Sequence, residues 1–232
     1  PKREKIKERV AGLAWAVESE KPKRQAAQRQ SKIISLPNKM KISCIIPTCD
    51  RAEYLIETLK SVLAQSEAPD EIIVVNNGGA GIVLSEDIRR TVKIFNIIPY
   101  AGVAQARNFG ASMACGDYLA FLDDDDLWSP EYLKNAALAL KNEPSDCIIS
   151  RLDYLRGDKI EPFRNPHGHI TIENILIANP GITGSNLIIS KDVFFKLRGF
   201  DPKLPPSEDK SLILEALLNN FKIKTLPQNQ AL

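Results

Sequence analysis

The stretch Tyr118–Trp128 reads YLAFLDDDDLW. Five apolar residues, two of them aromatic, run without interruption into four aspartates. A short continuous apolar run predicts a buried strand, over Tyr118–Leu122. Asp123, Asp124, Asp125 and Asp126 then stand at its carboxyl end. Four adjacent carboxylates repel one another, and a divalent cation relieves that cost. Hard oxygen donors of this kind suit Mg²⁺ or Mn²⁺, which go on to bridge substrate phosphates. The plainer reading is a solvated acidic turn whose Asp126 caps the helix after Pro130.

Outward from this stretch the same grammar repeats. KISCIIP, Lys41–Pro47, is a buried strand that ends in Thr48-Cys49-Asp50-Arg51. EIIVV, Glu71–Val75, is another and ends in Asn76-Asn77-Gly78-Gly79. VKIFNII, Val92–Ile98, is a third. Helical spacing follows each: Leu55, Leu59, Val62 and Leu63 within 52–65, a weaker segment at 82–90, Val103–Ala114 closed by Gly116, and Pro130–Lys141. Further strands are expected at Cys147–Ser150, Asn186–Ser190 and Phe221–Leu226, and helices at Lys191–Leu197 and Ser211–Asn219. Between 151 and 180 the pattern blurs, with Gly157, Pro162, Pro166, Gly168 and Pro180 scattered through it.

Strands alternating with helices predict an α/β domain around a mainly parallel sheet, over residues 40–232. In such sheets ligands sit beyond the carboxyl ends of the strands. The three polar strand ends should therefore open on one edge.

The composition is globular: 44% hydrophobic and 26% charged over 232 residues, which excludes a disordered or collagen-like chain. The net charge of +2 hides an asymmetry, because residues 1–41 hold 12 Lys/Arg against 4 Asp/Glu. The remainder holds 19 against 25, which argues against a nucleic-acid-binding surface on the body. Ile6, Val10, Leu13 and Val17 form one helical stripe in the arm, and 21–32 is a polar, basic linker. Residues 1–39 thus predict a basic amphipathic extension, packed on protein or lying on a membrane surface. The four cysteines show no metal-ligand spacing; Cys44 and Cys147 have apolar flanks and are expected in the core. His167 and His169 lie in the irregular stretch without a third histidine, so a metal site there is not expected. No apolar segment follows the basic first residues, so a secretory signal is not read. The chain starts at Pro1, as a fragment would.

Other polar residues carry two readings. Arg107 is a surface arginine or a cation near a phosphate. Glu208-Asp209 follows Pro205-Pro206-Ser207, either as the acidic first turn of a helix capped by Ser207 or as the source of a general base.

Five ordered segments resemble the inverting glycosyltransferases of family 2, with the three-layer, Rossmann-like GT-A fold: SCIIPTCDRAEYLIETLKSVLAQ, DEIIVVNNGG, GVAQARNFGASMACGDYLAFLDDDDLW, ITGSNLIISKDVFFKLRGFD and SEDKSLILEAL. The resemblance runs from about Lys41 to Pro227. It implies that Thr48, Asp50, Arg51, Arg107, Asp123 and Asp124 border a donor nucleotide and that Asn76 or Asn77 faces a uracil-like base. Asp123 and Asp125 match the DXD motif, with Asp125 the metal ligand and Asp123 nearer the ribose or metal. Asp209, with Glu208, forms the ED pair and supplies the base. Gly184 and Ser185 line the sugar and acceptor site. It further implies a nucleotide-diphosphate sugar donor, a UDP-sugar by preference, a glycan or lipid-linked acceptor, Mg²⁺ or Mn²⁺, and a cytoplasmic location at or near the membrane's inner face. The chain departs from the family at Asn76-Asn77, where an acidic pair is usual, at Lys210, where an aromatic is usual, and in ending at Leu232, where relatives continue. The competing readings are a haloacid-dehalogenase-type phosphotransferase, a nucleotidyltransferase and an inactive sugar-nucleotide-binding scaffold.

Overall fold

The computed structural model describes residues 40–156, 159–163 and 170–231. The basic helix and linker expected over 1–39, and the His167–His169 segment, lie outside the described residues.

Among the described residues eight strands form one mixed sheet. In chain order they are β1 (Ile42–Thr48), β2 (Glu71–Asn76), β3 (Lys93–Asn96), β4 (Tyr118–Phe121), β5 (Cys147–Arg156), β6 (Lys159–Pro162), β7 (Leu187–Ser190) and β8 (Ile223–Ala231). The spatial order is β3-β2-β1-β4-β7-β5-β6, with β8 paired to β5. Strands β3, β2, β1 and β4 are parallel; β7 runs antiparallel between β4 and β5. β1 is buried at every position because both faces of the sheet are covered. This is why its sequence reads as an apolar run without alternation.

The alternation of side chains across the pleat divides the core in two. Ile45, Ile73, Val75, Leu119 and Phe121 face one layer, which contains Ala104, Ala106 and Ala111 of helix α3 (Val103–Met113). The same layer holds Val193 and Phe194 of α6 (Lys191–Lys196), and Leu212, Ile213 and Ala216 of α7 (Glu208–Leu218). Cys44, Ile46, Val74, Ala120 and Leu122 face the other, built from Leu55, Leu59 and Val62 of α1 (Ala52–Leu63) and Tyr132, Leu133, Ala136 and Leu140 of α4 (Tyr132–Asn142). The result is the expected three-layer α/β/α arrangement, and Cys44 and Cys147 are core residues.

Two expectations are corrected in detail. The helix read over 82–90 shrinks to one turn, α2 (Glu86–Arg89), which buries no side chain. The blurred region contains real elements: β5 continues to Arg156 and turns back as β6, and Ile172–Ile177 forms α5. No helix among the described residues is long and apolar enough to cross a membrane.

The strand order fixes where a ligand can enter. From β1 the chain moves outward to β2 and β3, then returns to place β4 on the other side of β1. The crevice at this reversal lies between the carboxyl ends of β1 and β4, at Thr48–Arg51 and Asp123–Asp126.

Candidate functional site

A cleft of about 350 Å³ opens at that reversal. Thr48, Arg51, Asn77, Arg107, Asp123, Asp124, Asp125, Gly184, Glu208 and Asp209 all line it. Residues from six separate parts of the sequence therefore meet on one sheet edge. Asp125 and Asp209 share the same cleft, although 84 positions separate them in the sequence.

The acidic turn is held from three sides. Thr48 Oγ1 donates to Asp124 Oδ2 at 2.6 Å. Arg51, at the start of α1, pairs with Asp124 Oδ1 at 2.5 Å and Asp125 Oδ2 at 2.6 Å. Asp124 is fully buried, and burial raises its pKa, opposed by the Thr48 hydroxyl and the Arg51 charge. Ser185 Oγ donates to Asp126 and accepts from the Asp123 backbone N–H at 3.1 Å. Burial pushes the Asp126 carboxyl up to about 6 despite the Ser185 hydroxyl. Trp128 Nε1 donates to the Ser185 carbonyl at 2.8 Å, and its ring packs edge-on against Tyr132. Trp128 thus ties the turn to the segment 184–186. Asp126 is bound to Ser185 rather than capping the following helix.

Arg107 lies inward. It is 3% exposed and bridges the two acidic elements, with Nη2 2.5 Å from Asp123 Oδ1 and Nη1 3.0 Å from Glu208 Oε1. Its guanidinium stands 5.2 Å from the centre of the Phe200 ring, a cation–π contact. Gly184 fits beneath it because it lacks a side chain: a Cβ there would come within 2.5 Å of Arg107 Cζ. Gly184→Ala is expected to displace the guanidinium and to cost about 1–3 kcal/mol of stability as an overpacked core does, measured by chemical denaturation.

Asp209 is placed by the first turn of α7. Burial, with the neighbouring Glu208 adding to it, pushes its carboxyl up to about 6, while a bond from the Lys210 backbone N–H at 2.6 Å pulls the other way. Ser207 occupies the N-cap position of α7, but its side chain makes no capping bond.

Three of the residues expected at the site do not line the cleft. Asp50, with φ of +54°, turns its carboxylate away to accept from Ala80 N at 2.8 Å, Gly79 N at 3.2 Å and the Tyr100 hydroxyl at 3.0 Å. Those bonds, Ala80 first, lower its pKa. Gly78 is required here, since a Cβ would meet the Asp50 backbone nitrogen at 2.6 Å. Asn76 spends its amide on Ala80 O and Asn96 Oδ1, and its carbonyl on Gly78 N. Ser185 clamps the acidic turn from behind. Of the two asparagines, Asn77 is the one on the cleft, and its buried Oδ1 has no hydrogen-bond partner among the described residues.

Pro47, Cys49, Val103, Thr183 and Pro206 also line the cleft and went unread as site residues. Thr183 had a local signal: with Asn186 it forms a capping box around the 3₁₀ turn Gly184–Asn186.

The sequence model of the family described as "Glycosyl transferase family 2" matches residues 43–198, which include all but the first residue of β1, the acidic turn and Gly184. The chain belongs to glycosyl transferase family 2. Its relatives include an uncharacterized glycosyltransferase of Haemophilus influenzae, 28% identical over 76% of this chain and 62% of the relative. Another is the poly(ribitol-phosphate) β-N-acetylglucosaminyltransferase TarS of Staphylococcus aureus, 27% identical over 81% of this chain and 34% of TarS. The crystal structure of TarS superposes with a TM-score of 0.67 at 25% identity, covering 83% of this chain and 36% of TarS. A shorter form of TarS, residues 1–349, is known in complex with UDP-GlcNAc and superposes with a TM-score of 0.66 at 24% identity, over 83% of this chain and 58% of that one. The architecture described above is thus the GT-A fold. The chain spans less than two thirds of the length of these relatives.

Proposed function

We propose that this family 2 protein transfers a sugar from a nucleotide-diphosphate donor, a UDP-sugar by preference, to an acceptor hydroxyl of a glycan or lipid-linked acceptor, with inversion at the anomeric carbon. The observation that carries the reading is the charge of the cleft combined with its architecture. Two arginines, Arg51 and Arg107, face five carboxylates: Asp123, Asp124, Asp125, Glu208 and Asp209. A polyanionic diphosphate cannot enter such walls unless a cation accompanies it.

The residues present fit Mg²⁺ or Mn²⁺. Asp123 and Asp125 offer hard oxygen donors on the cleft wall. Among the described residues no group of three His, Cys, Asp or Glu side chains forms a ready cage. These ions need none, because one or two carboxylates suffice when substrate phosphates and water complete the shell. Asp125, the more exposed of the pair, would be the principal ligand and Asp123 the second. A cation bound there supplies Lewis-acid stabilisation of the departing diphosphate.

The protein's own groups do the rest. Thr48, Arg51 and Asn77 form the wall beside the nucleotide. The Asn77 carbonyl oxygen suits a base N–H, and its amide can also donate, so it reads a base through two kinds of bond. Gly184 and Thr183 form the side facing the sugar and acceptor. Asp209, across the cleft from Asp125, accepts the acceptor's proton as the oxygen attacks the anomeric carbon. Glu208 keeps Arg107 in place through its Oε1. TarS, named for transfer of N-acetylglucosamine, supports a sugar transfer of this class.

Calorimetry with UDP, with and without Mn²⁺, tests the assignment. Asp125→Ala is expected to abolish the metal-dependent part of UDP binding, a loss of at least about tenfold in affinity. Asp209→Ala should bind UDP as the unaltered protein does. Normal binding by Asp125→Ala would remove it from the metal site. Binding without hydrolysis or transfer of any nucleotide sugar would favour the inactive scaffold.

A further inference from the structure

Arg51 reaches from the end of β1 across the crevice to the end of β4. Its two partners differ. Asp124 is wholly buried and also bonded to Thr48, whereas Asp125 and Arg51 are each nearly half exposed. One ion pair is an anchor inside the protein. The other lies at the water boundary, where pairs are weak and readily exchanged. The carboxylate in this weak pair is the one placed above as the principal metal ligand.

Resting on that metal assignment, we infer that Arg51 is a built-in competitor for the divalent cation. Anchored on Asp124, it holds Asp125 until metal and donor arrive together, then yields Asp125 to the metal. The physical argument has two parts. A guanidinium already paired with Asp125 must be displaced before a cation can take that carboxylate, and its positive charge repels an incoming cation over the few ångströms between them. Once a diphosphate is present, the displaced guanidinium gains a new anionic partner, for which its planar fork is well suited. Metal alone therefore binds weakly, and metal and nucleotide each strengthen the other's binding, as linkage requires. In functional terms, Arg51 prevents the acidic turn from being filled by a cation without a donor.

The test measures Mn²⁺ binding by the electron paramagnetic resonance of free Mn²⁺, with and without UDP. In the unaltered protein Mn²⁺ should bind weakly alone and more tightly with UDP. In Arg51→Gln, Mn²⁺ alone should bind on the order of tenfold more tightly, and the gain from adding UDP should shrink. Thermal melts give a second readout. Arg51→Gln should melt lower in chelator, because Asp124 loses its counter-charge, and Mn²⁺ should raise its melting temperature more than that of the unaltered protein. Should Arg51→Gln fail to fold, Arg51→Lys answers the same question. It keeps the charge but lacks the fork, so a smaller gain, roughly threefold, is expected for Mn²⁺ alone. Equal or weaker Mn²⁺ binding by these variants overturns the competitor role and leaves the metal site standing. No Mn²⁺ binding by any form, even with UDP, removes the metal assignment itself.

Discussion

Replacing Asp209 by asparagine should lower turnover by about 10²–10⁴-fold, the usual contribution of a positioned general base, with the donor still bound. Asparagine keeps the shape and can accept the Lys210 N–H bond, but it cannot accept the acceptor's proton. Its neutral amide also removes one carboxylate from a cleft that holds five, so donor affinity should hold or rise slightly. The split between turnover and affinity is the diagnostic result. Steady-state rates with a nucleotide sugar, set beside UDP calorimetry, measure it. The pH profile gives a separate check. As the proposed base Asp209 must be ionised to work, and burial pushes its carboxyl up to about 6. Activity should therefore rise with pH through about 6 and fall away on the acid side. Burial also pushes Asp126 up to about 6, but this half-buried carboxylate is held by Ser185 and is not on the cleft wall. Asp126→Asn should leave the acid limb where it is. If that variant moves the limb, the proton acceptor has been misassigned.

The parts of the fold that could be read in advance are those where burial imposes a pattern. β1, β2 and β4 are covered on both faces, so their sequences are unbroken apolar runs, and the polar residues that end them stand out. α1, α3 and α4 are each 11 or 12 residues long, enough for three turns of periodicity to show. The stretch after Ser150 failed for the opposite reason. The β5–β6 hairpin leaves the sandwich, and Leu155 and Ile160, paired across it, are both well exposed. Apolar residues there do not mark an interior. In α5 Ile175 is buried but Leu176 and Ile177 are exposed, so its apolar residues do not trace one buried face.

At the site, residue types at strand ends were legible, whereas the direction each side chain takes was not. Asn76 folds back on its own turn, as short polar side chains readily do, and Asp50 reaches across to the turn that ends β2; no spacing distinguishes either from facing a ligand. Arg107 carried a usable signal. Its neighbours on the helix face are Ala104, Gly110 and Ala111, each one turn away and all small. An arginine set among residues that let a helix approach a sheet closely points inward, and it needs buried counter-charges. The structure supplies them as Asp123 and Glu208.

Arg107→Met should be the most destabilising substitution at the site, costing about 3–5 kcal/mol, because it leaves Glu208 and Asp123 without the charge that neutralises them. For a domain of this size that corresponds to a fall in melting temperature of roughly 6–20 °C. Methionine fills most of the space above Gly184 and against Phe200, so the loss reports charge more than volume. Arg107→Lys keeps the charge but cannot hold Asp123 and Glu208 at once in the same fork, and should fall between the two. The decisive comparison is the double variant Arg107→Met, Glu208→Gln. With the buried carboxylate also neutralised, stability should recover by about 0.5–3 kcal/mol relative to the sum of the single changes, the coupling expected of residues in contact. Urea denaturation of the four proteins measures it. Additive losses would mean that Arg107 acts through packing alone. Coupled losses would mean that one buried cation joins the end of β4 to the start of α7, holding the acidic turn against the Glu208-Asp209 pair.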